Sequence, residues 1–338
     1  MKKISTLACF MLLTMVLSAC GSNSGSNASP NASAPETEAG SAPSKIVIGL
    51  SVPDLSSSFW TSIVYGAKTE AEASGVTLLI ENAGGDAKVQ DQISQIQNLT
   101  QKNVNALIVG ATDGTGVAPV VDLAANKGIA VVGLSSPPDT DKLVSSVGTD
   151  NYRMGKLLAQ GIGAKLNGTG QVAMMAGPAG QVWATKRAQG FEETIAGEFP
   201  GIKIVSTDHT GDNRNAALNL MQDWLQRFPD LKAVYTATDD IGAGAADAIE
   251  AADKTGSILV ASSNLSPVGI DYLKRGLLAF ETTQKVVAQG RAAVQQAVRA
   301  VKGEAVEKEV VTDVVFVDQH SIASVDFSDI SAPEGFKP

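Results

Sequence analysis

Side chains that carry metal and acid–base chemistry are scarce in this chain. Its 338 residues include two cysteines, Cys9 and Cys20, and two histidines, His209 and His320. The histidines stand far apart and lack the spacing of metal ligands, so no metal site is predicted. The sequence also has no phosphate-binding P-loop, no G-x-G-x-x-G after a strand and no G-x-S-x-G nucleophile turn. These absences argue against an enzyme, and they predict no cofactor.

Clusters of basic residues are absent as well. The formal net charge is −9, and no stretch of the chain concentrates lysine and arginine. Nucleic acid, which binds through a positive surface, is therefore not an expected partner. We interpret the acidity as a solubility feature.

The N-terminus has the pattern of an export signal. Lys2 and Lys3 precede an apolar run, Ile4–Leu17, which is shorter than the ~20 residues that span a bilayer. The run ends in Leu17-Ser18-Ala19-Cys20, which resembles the bacterial lipobox. We therefore predict a signal peptide over residues 1–19 and a lipid on Cys20. The alternative is an ordinary secretory signal followed by a chance cysteine. Cleavage before an acylated cysteine leaves no intramolecular disulfide.

Residues 20–44 are predicted to form a disordered tether behind the lipid. The segment Gly21–Ser44 has no aromatic residue and no valine, isoleucine, leucine or methionine. It therefore cannot bury enough apolar surface to fold. The chain from Lys45 onward is large for a single core and suits two lobes.

From Lys45 onward, short apolar runs alternate with segments of helical period. Runs that are apolar throughout are typical of strands buried on both faces, as in parallel sheets with crossover helices. Stripes within 89–99 and 218–228 predict two helices. Val286–Val301 is assigned as a further helix, in the N-terminal lobe. The predicted strands are Ile46–Leu50, Val76–Ile80, Ala106–Val109, Ile129–Leu134, Val172–Met175, Ile202–Val205, Ala233–Tyr235 and Ile258–Ala261.

The chain also resembles itself. A strand, a loop and a helix around Phe59 recur around Trp183, and Ala106–Asp113 is similar to Lys232–Asp239 at a nearly equal offset. Two equivalent α/β lobes in tandem are the simplest account, and the alternative is chance similarity of unrelated βα units. Open α/β sheets bind ligands at the carboxyl ends of their strands. Two facing lobes would therefore place the residues after each strand around a cleft.

Three of the strand-following residues suit a polar ligand with a carbon ring. Phe59 and Trp60 offer flat faces that stack on the C–H face of a sugar, and the alternative is that they are core residues. Arg187 offers a guanidinium fork for two ligand oxygens, and the alternative is a surface arginine.

Polar residues at helix starts leave a further choice open. Asn151 either contacts the ligand or caps the helix that follows it. Asp239 and Asp240 could form a carboxylate pair or contact the ligand, and the alternative is that one of them caps the helix through Ile241.

From Lys45 to about Val317 the chain resembles the ribose-type periplasmic binding proteins, whose lobes are shared with lactose-repressor-like regulators. The resemblance lies in the order and spacing of Ser57–Trp60, Gly128–Leu134, Gly148–Asn151, Arg187–Phe191, Met221-Gln222, Thr238–Asp240 and Gly276–Gln284. It implies that Phe59 and Trp60 are the aromatic pair at the sugar and that Arg187 donates to the ligand. It also implies that Asn151 is an amide near the hinge and that Gln284 is a hinge glutamine that contacts the ligand.

At other positions the chain departs from this family. Ser135-Ser136 stand where the ribose and galactose binders have an Asp-Arg pair, and Ser57 replaces an asparagine. Asp212 falls where an aromatic residue is common. Thr238 replaces a frequent ligand-binding asparagine, and Asn264 replaces an aspartate that takes two hydroxyls. Hydrogen bonds to charged groups contribute about 1.5–3 kcal/mol each, so their loss makes ribose a poor match. A different sugar, a polyol or another small hydroxylated molecule fits better.

The predicted fold class is α/β, with two doubly wound parallel-sheet lobes of the type I periplasmic binding protein kind and a three-segment hinge. We assign residues 45–149 and 285–311 to the N-terminal lobe, 150–284 and 312–325 to the C-terminal lobe, and 326–338 to a C-terminal tail. The predicted ligand contacts are Ser57, Phe59, Trp60, Ser136, Asn151, Arg187, Asp212, Thr238, Asp239, Asn264 and Gln284.

The leading hypothesis is an extracytoplasmic solute-binding lipoprotein that delivers a sugar, a polyol or a similar ligand to an ABC importer by hinge closure. The expected partners are the ligand, the permease and ATPase subunits, and the membrane through the lipid anchor. We expect a monomer without enzymatic activity. The alternative is a sensor subunit that presents its ligand to a membrane kinase or chemoreceptor, and neighbouring genes would distinguish the two.

Overall fold

The computed structural model describes residues 45–85 and 87–338, which form two sheets flanked by helices. The predicted signal peptide, the lipidated Cys20 and the tether lie outside the described residues. The strands are β1 (Val47–Val52), β2 (Thr77–Asn82), β3 (Ala106–Val109), β4 (Ala130–Leu134), β5 (Ser145–Thr149), β6 (Thr169–Met175), β7 (Gly201–Asp208), β8 (Leu231–Thr236), β9 (Leu259–Ser263), β10 (Phe280–Gln284), β11 (Glu309–Thr312) and β12 (Val314–Asp318). The helices are α1 (Ser58–Ala73), α2 (Val89–Gln101), α3 (Gly114–Asn126), α4 (Asn151–Lys165), α5 (Val182–Glu198), α6 (Arg214–Arg227), α7 (Asp239–Ala251), α8 (Pro267–Lys274) and α9 (Val286–Val301). Within the described ranges, no helix combines the length and the hydrophobicity needed to cross a bilayer.

The two sheets share one strand order. The first has the strand order β11-β5-β4-β3-β1-β2 and is parallel throughout. The second has the order β12-β10-β9-β8-β6-β7, in which only the β10–β12 pair is antiparallel. This repeated order confirms the predicted doubly wound fold, and it agrees with the self-similarity of the sequence.

The strands were predictable because both faces of each sheet are covered. In the first sheet, Ile108 packs in the hydrophobic cluster that includes residues of α1 and α9, whereas Leu107 and Val109 pack in the cluster on the opposite face. Such a strand is apolar at every position. β3 has the predicted bounds, but β7 continues to Asp208, beyond the predicted end at Val205. The extra residues are polar, so the apolar run did not include them.

The chain passes from one sheet to the other at three places, namely 149–151, 284–286 and 312–314. After the first crossing, α4 packs on α5, β9 and β10; after the second, α9 packs on α1, β3 and β4. We therefore name the first sheet with α1, α2, α3 and α9 the first lobe. The second sheet with α4 to α8 is the second lobe. These crossings agree with the predicted three-segment connection.

Beyond β12, the C-terminal residues contact both lobes. Ile322 is buried in the core of the second lobe, and Val325 and Phe327 pack against the same core. Asp329 then accepts from Arg291 Nη1 of α9 at 2.6 Å. These residues leave the second lobe after β12 and reach α9 of the first lobe. They therefore form a further link between the lobes.

Candidate ligand-binding cavity

A cavity of about 790 Å³ lies between the two lobes. Its walls are built largely by residues that follow β1, β3, β4 and β5 in the first lobe and β6 to β10 in the second. Chain segments that leave parallel strands converge on the carboxyl edge of the sheet, which explains why these residues meet. All eleven predicted contacts line this cavity, namely Ser57, Phe59, Trp60, Ser136, Asn151, Arg187, Asp212, Thr238, Asp239, Asn264 and Gln284. That each one touches a ligand stays a prediction.

The start of α1 forms the aromatic part of the first-lobe wall. Ser57 is the N-cap residue, yet its side chain makes no capping hydrogen bond. The rings of Phe59 and Trp60 meet edge to face, with 5.3 Å between centroids and 86° between planes. Trp60 is 7% exposed and belongs to the core of the first lobe, whereas Phe59 is half-buried. Trp60 therefore acts as both core and wall, and Phe59 is the more accessible ring.

The loops after β3 and β4 complete this wall. A Cβ on Gly110 would lie 2.4 Å from Cη2 of Trp60, so the indole needs a glycine beside it. The next N–H, of Ala111, donates to the carbonyl of Ser136 at 2.7 Å. Ser135 has a φ of 59°, in the left-handed region that a non-glycine residue rarely adopts. The two serines thus form a tight turn that presents hydroxyl groups in place of charged side chains.

Arg187 organises the second-lobe wall. It is 3% exposed, and its Nε donates to Asn151 Oδ1 at 2.9 Å. Its Nη1 donates to the carbonyl of Ala237 at 2.9 Å and to Asn264 Oδ1 at 3.1 Å. The guanidinium lies over the ring of Trp183, 5.0 Å from the centroid. Burial lowers the pKa of Arg187, and nearby acidic groups oppose that shift. Arg187 is therefore no surface residue, and these contacts fix its fork at the cavity.

Close packing of α4 on α5 sets the position of this arginine. A Cβ on Gly155 would lie 1.8 Å from the carbonyl oxygen of Arg187, so only glycine allows this approach. The alternative that Asn151 caps α4 is wrong, because Asp150 is the N-cap residue and accepts from the N–H of Arg153 at 2.8 Å. The side chain of Asn151 is thereby left to accept from Arg187.

Thr238, not either aspartate, caps α7. Its Oγ1 accepts from the N–H of Ile241 at 3.4 Å. The expectation that Asp239 or Asp240 caps this helix is therefore wrong. The same hydroxyl donates to Asp212 Oδ1 at 2.5 Å. A threonine can cap as well as an aspartate can, and the sequence alone did not distinguish these neighbours.

Two buried carboxyl groups hold the loop that carries Asn264. Asp239 Oδ2 accepts from the N–H of Ser266 at 2.6 Å, and Glu281 Oε2 accepts from the N–H of Leu265 at 3.3 Å. Burial raises the pKa of Asp239 to about 6 and raises the pKa of Glu281 well above its ordinary value. Asn264 and Leu265 have φ values of 108° and 56°, so this loop is strained. Asp239 lines the cavity, but its described role is to position the loop.

Gln284 lies where the chain crosses between the lobes. It ends β10, is 3% exposed, and its Oε1 accepts from Gln289 Nε2 at 2.7 Å. Gln289 Nε2 also donates to Thr312 Oγ1 at 3.1 Å, at the third crossing. The amide of Gln284 is therefore part of a buried network between crossings, as well as part of the cavity wall.

Sequence reasoning did not include three contributors to this cavity and its support among the predicted ligand contacts. Trp183 lines the cavity under Arg187, and its correspondence with Phe59 in the internal repeat was the signal that could have identified it. Gln289 gave no signal, since it is one of several glutamines on an amphipathic helix. Residues 330–334 and Phe336 also line the cavity, although the sequence predicted only a tail there.

The chemistry of the walls suits binding of a polar molecule. They combine aromatic rings, hydroxyl groups, amides, a buried guanidinium and several carboxylates, among them Asp212 and Asp239, and such convergent polar groups fix orientation in small-molecule sites. In the part of the chain that the structure describes, no group of three or more histidine, cysteine, aspartate or glutamate residues could hold a metal ion.

Comparisons with known proteins agree with this architecture. A family model described as a periplasmic binding protein domain matches residues 48–305. A xylitol-binding protein of Mycolicibacterium smegmatis is 29% identical over 316 residues, which cover 93% of this chain and 84% of that protein. A ribose import binding protein of Salmonella typhimurium is 28% identical over 282 residues, or 83% and 93% of the two chains. The crystal structure of an ABC transporter periplasmic solute-binding protein from Actinobacillus succinogenes with bound D-allose is 26% identical. It superposes with a TM-score of 0.79 and covers 83% of this chain and 100% of that one.

Proposed function

Because this chain belongs to the periplasmic binding protein family, we propose that it is the binding protein of an ABC importer for a sugar, a polyol or a similar small hydroxylated molecule. The family places it outside the cytoplasm, and its members bind solutes and do not catalyse reactions. We further propose that the protein has no enzymatic role, needs no cofactor and acts as a monomer.

The pairing of Arg187 with Phe59 across one cavity carries this proposal. The half-buried ring on the first lobe offers an apolar face, and the buried guanidinium on the second lobe offers fixed donors. A sugar or a polyol has C–H groups for the ring and oxygens for the fork. Nε and Nη1 already donate to protein oxygens, so ligand oxygens are expected at Nη2.

Neutral side chains at three wall positions favour an uncharged ligand. Ser57, Ser136 and Asn264 offer hydroxyl and amide groups at positions where the family often has larger or charged side chains. A hydroxyl both donates and accepts, so it matches these groups without a charge to neutralise. The xylitol-binding relative and the allose-bound structure support this ligand class.

Ligand delivery requires motion and attachment. We propose that the ligand bridges the lobes, favours a closed form of the molecule and is then passed to the permease and ATPase complex.

The protein is held at the membrane by a lipid on Cys20. Replacement of this residue, Cys20→Ala, should release the protein into soluble fractions or leave it unprocessed. A variant that stays on the membrane with a normal mature N-terminus would contradict the anchor.

A thermal-shift screen over pentoses, hexoses, polyols and inositols tests the function, with calorimetry on each hit. We expect at least one compound with a Kd in the micromolar range or tighter, about −8 kcal/mol, and weaker binding of D-ribose. Amino acids and inorganic anions are the control set. If only charged solutes raise the melting temperature, or if no solute does, the proposed ligand class is wrong.

A further inference from the structure

Residues 327–336 near the C-terminus, which we name the C-terminal strap, lie beside the cavity. The strap begins at Phe327, which packs on the core of the second lobe, and it continues onto the first lobe. There Asp329 pairs with Arg291 at 2.6 Å, and Lys285 Nζ lies 3.9 Å from the other carboxylate oxygen. Anchors on both lobes keep the strap at the cleft.

Further contacts hold the rest of the strap on α1. The N–H of Ala332 donates to Ser62 Oγ at 3.0 Å. The ring of Phe336 meets that of Tyr65 at 5.0 Å between centroids, and Lys68 Nζ lies 5.7 Å from the Phe336 centroid. These contacts put the strap over the first turns of the helix that also carries the aromatic part of the wall.

Strap side chains form part of the cavity surface itself. Ile330, Ala332 and Phe336 line the cavity together with Ser58 and Ser62 of α1. Ile330 is 4% exposed, so its side chain is held between the strap and the body of the protein. The strap thus adds an apolar wall that belongs to neither sheet.

We propose that the C-terminal strap determines which ligands fit, by closing the cavity beside α1 and admitting single-ring or open-chain ligands but not longer ones. This inference rests on the proposed function. A ligand that extends past the first turns of α1 would meet Ile330 and Phe336, and it would have to displace the anchored strap. A ligand of one ring would instead gain apolar contact from the same side chains.

The test compares the full-length protein with a version that lacks residues 328–338, which retains both sheets and the Phe327 anchor. The probes are the tightest monosaccharide or polyol from the screen and a disaccharide, maltose, measured by calorimetry. The truncated protein should bind the small probe at least about fivefold more weakly and should bind maltose relatively better. Ile330→Ala should change each of the two affinities in the direction that truncation does. Lys337→Ala, at an exposed position outside the cavity, should change neither.

A ligand-independent measurement separates failure of the strap from failure of the proposed function. Amide hydrogen exchange in α1, residues 58–66, should become faster on truncation, because the strap covers these turns. Unchanged exchange overturns the strap whether or not a sugar binds. If exchange rises but the affinities for both probes change by less than about twofold, the strap covers α1 without selecting ligands, and the proposal is also wrong. If the wild type binds no hydroxylated probe, the proposed function is wrong. The exchange result still shows whether the strap covers α1.

Discussion

Gln289 Nε2 donates to Gln284 Oε1 at 2.7 Å, and through this bond a residue of α9 joins the crossings between the lobes. The same nitrogen donates to Thr312 Oγ1, which in turn donates to the carbonyl of Gly148 at 3.1 Å. Gly148, Gln284 and Thr312 each lie at or next to one crossing. Rotation of one lobe against the other would therefore act on one buried network.

The substitution Gln289→Leu should couple stability to ligand affinity. It removes both hydrogen bonds from a fully buried site, so we expect the free energy of unfolding to fall by about 1–3 kcal/mol. Affinity for the ligand should fall as well, because the closed form loses its defined crossing geometry. Thermal unfolding and calorimetry provide the two values.

Gln296→Leu is the matched control on the same helix. Gln296 is 3% exposed, and its Oε1 accepts from the N–H of Glu307 at 3.0 Å, a residue in none of the crossings. This variant should lose stability and keep its affinity. Equal loss of affinity in both variants would show that the crossing network has no special part in binding.

Arg187→Lys tests the guanidinium fork while it retains a positive charge. A lysine cannot reproduce the donors to Asn151, Ala237 and Asn264. Loss of one charged hydrogen bond to the ligand, about 1.5–3 kcal/mol, predicts roughly 10- to 100-fold weaker binding by calorimetry. Arg153→Lys, at an exposed position on α4, should bind as the wild type does. If Arg187→Lys retains full affinity, the Arg187 guanidinium does not contribute to ligand binding.

Gly155→Ala tests whether close packing of α4 on α5 positions Arg187. The new Cβ would lie 1.8 Å from the Arg187 carbonyl oxygen, so the helices must separate. We expect destabilisation of at least about 2 kcal/mol together with weaker binding. On α5 itself, a Cβ on Gly197 would meet no atom within 4 Å, and Gly197→Ala should be neutral or stabilising by about 0.5–1 kcal/mol. Denaturant unfolding that ranks the two variants in the opposite order would contradict this packing account.

Asp239 predicts a specific dependence of stability on pH. Its pKa of about 6 in the folded state lies above the ordinary value of 3.8, so the folded protein holds this proton more tightly than the unfolded chain does. Stability from this group is therefore greatest at low pH, falls as pH rises from about 4 to about 6, and is constant above that. The shift corresponds to roughly 3 kcal/mol in the free energy of unfolding. Glu281, whose pKa is also raised, acts in the same direction.

Asp239→Asn should remove this contribution, because an amide does not titrate in this range. Its oxygen can still accept from the N–H of Ser266. Between about pH 5 and about pH 7.5, on either side of the folded-state pKa, the variant should lose less melting temperature than the wild type. An exposed aspartate away from this group provides the control, since Asp230→Asn should follow the wild-type profile. A wild type whose stability rises relative to Asp239→Asn across this window would show that the carboxylate is stabilised by its surroundings.

Much of the fold was predictable, and the reasons are local. Strands buried on both faces leave continuous apolar runs, and β3 was therefore predicted with its observed bounds. The strand-end rule and the family resemblance together selected eleven residues, all of which line one cavity. The helix Val286–Val301, assigned to the N-terminal lobe, has its predicted bounds, although Gln289 and Gln296 interrupt its apolar buried face.

What the sequence did not predict depends on contacts between distant segments. The sequence left Arg187 as either a ligand donor or a surface arginine, because it stands next to exposed Lys186, and the structure shows that it is buried. The choice between Asp150 and Asn151 as cap, or between Thr238 and Asp239, depends on a single turn of backbone. The C-terminal strap has neither strand nor helix period, so its position between the lobes could come only from the structure.

Small-angle X-ray scattering with and without the ligand from the screen tests most directly whether this protein binds its ligand between two closing lobes. The cavity has walls from both lobes, and the ligand is expected to bridge Phe59 and Arg187, so binding should pull the lobes together. The account predicts a smaller radius of gyration at saturating ligand, and no such change with a sugar that calorimetry shows not to bind. An unchanged radius of gyration at full saturation would contradict closure and, with it, the central claim.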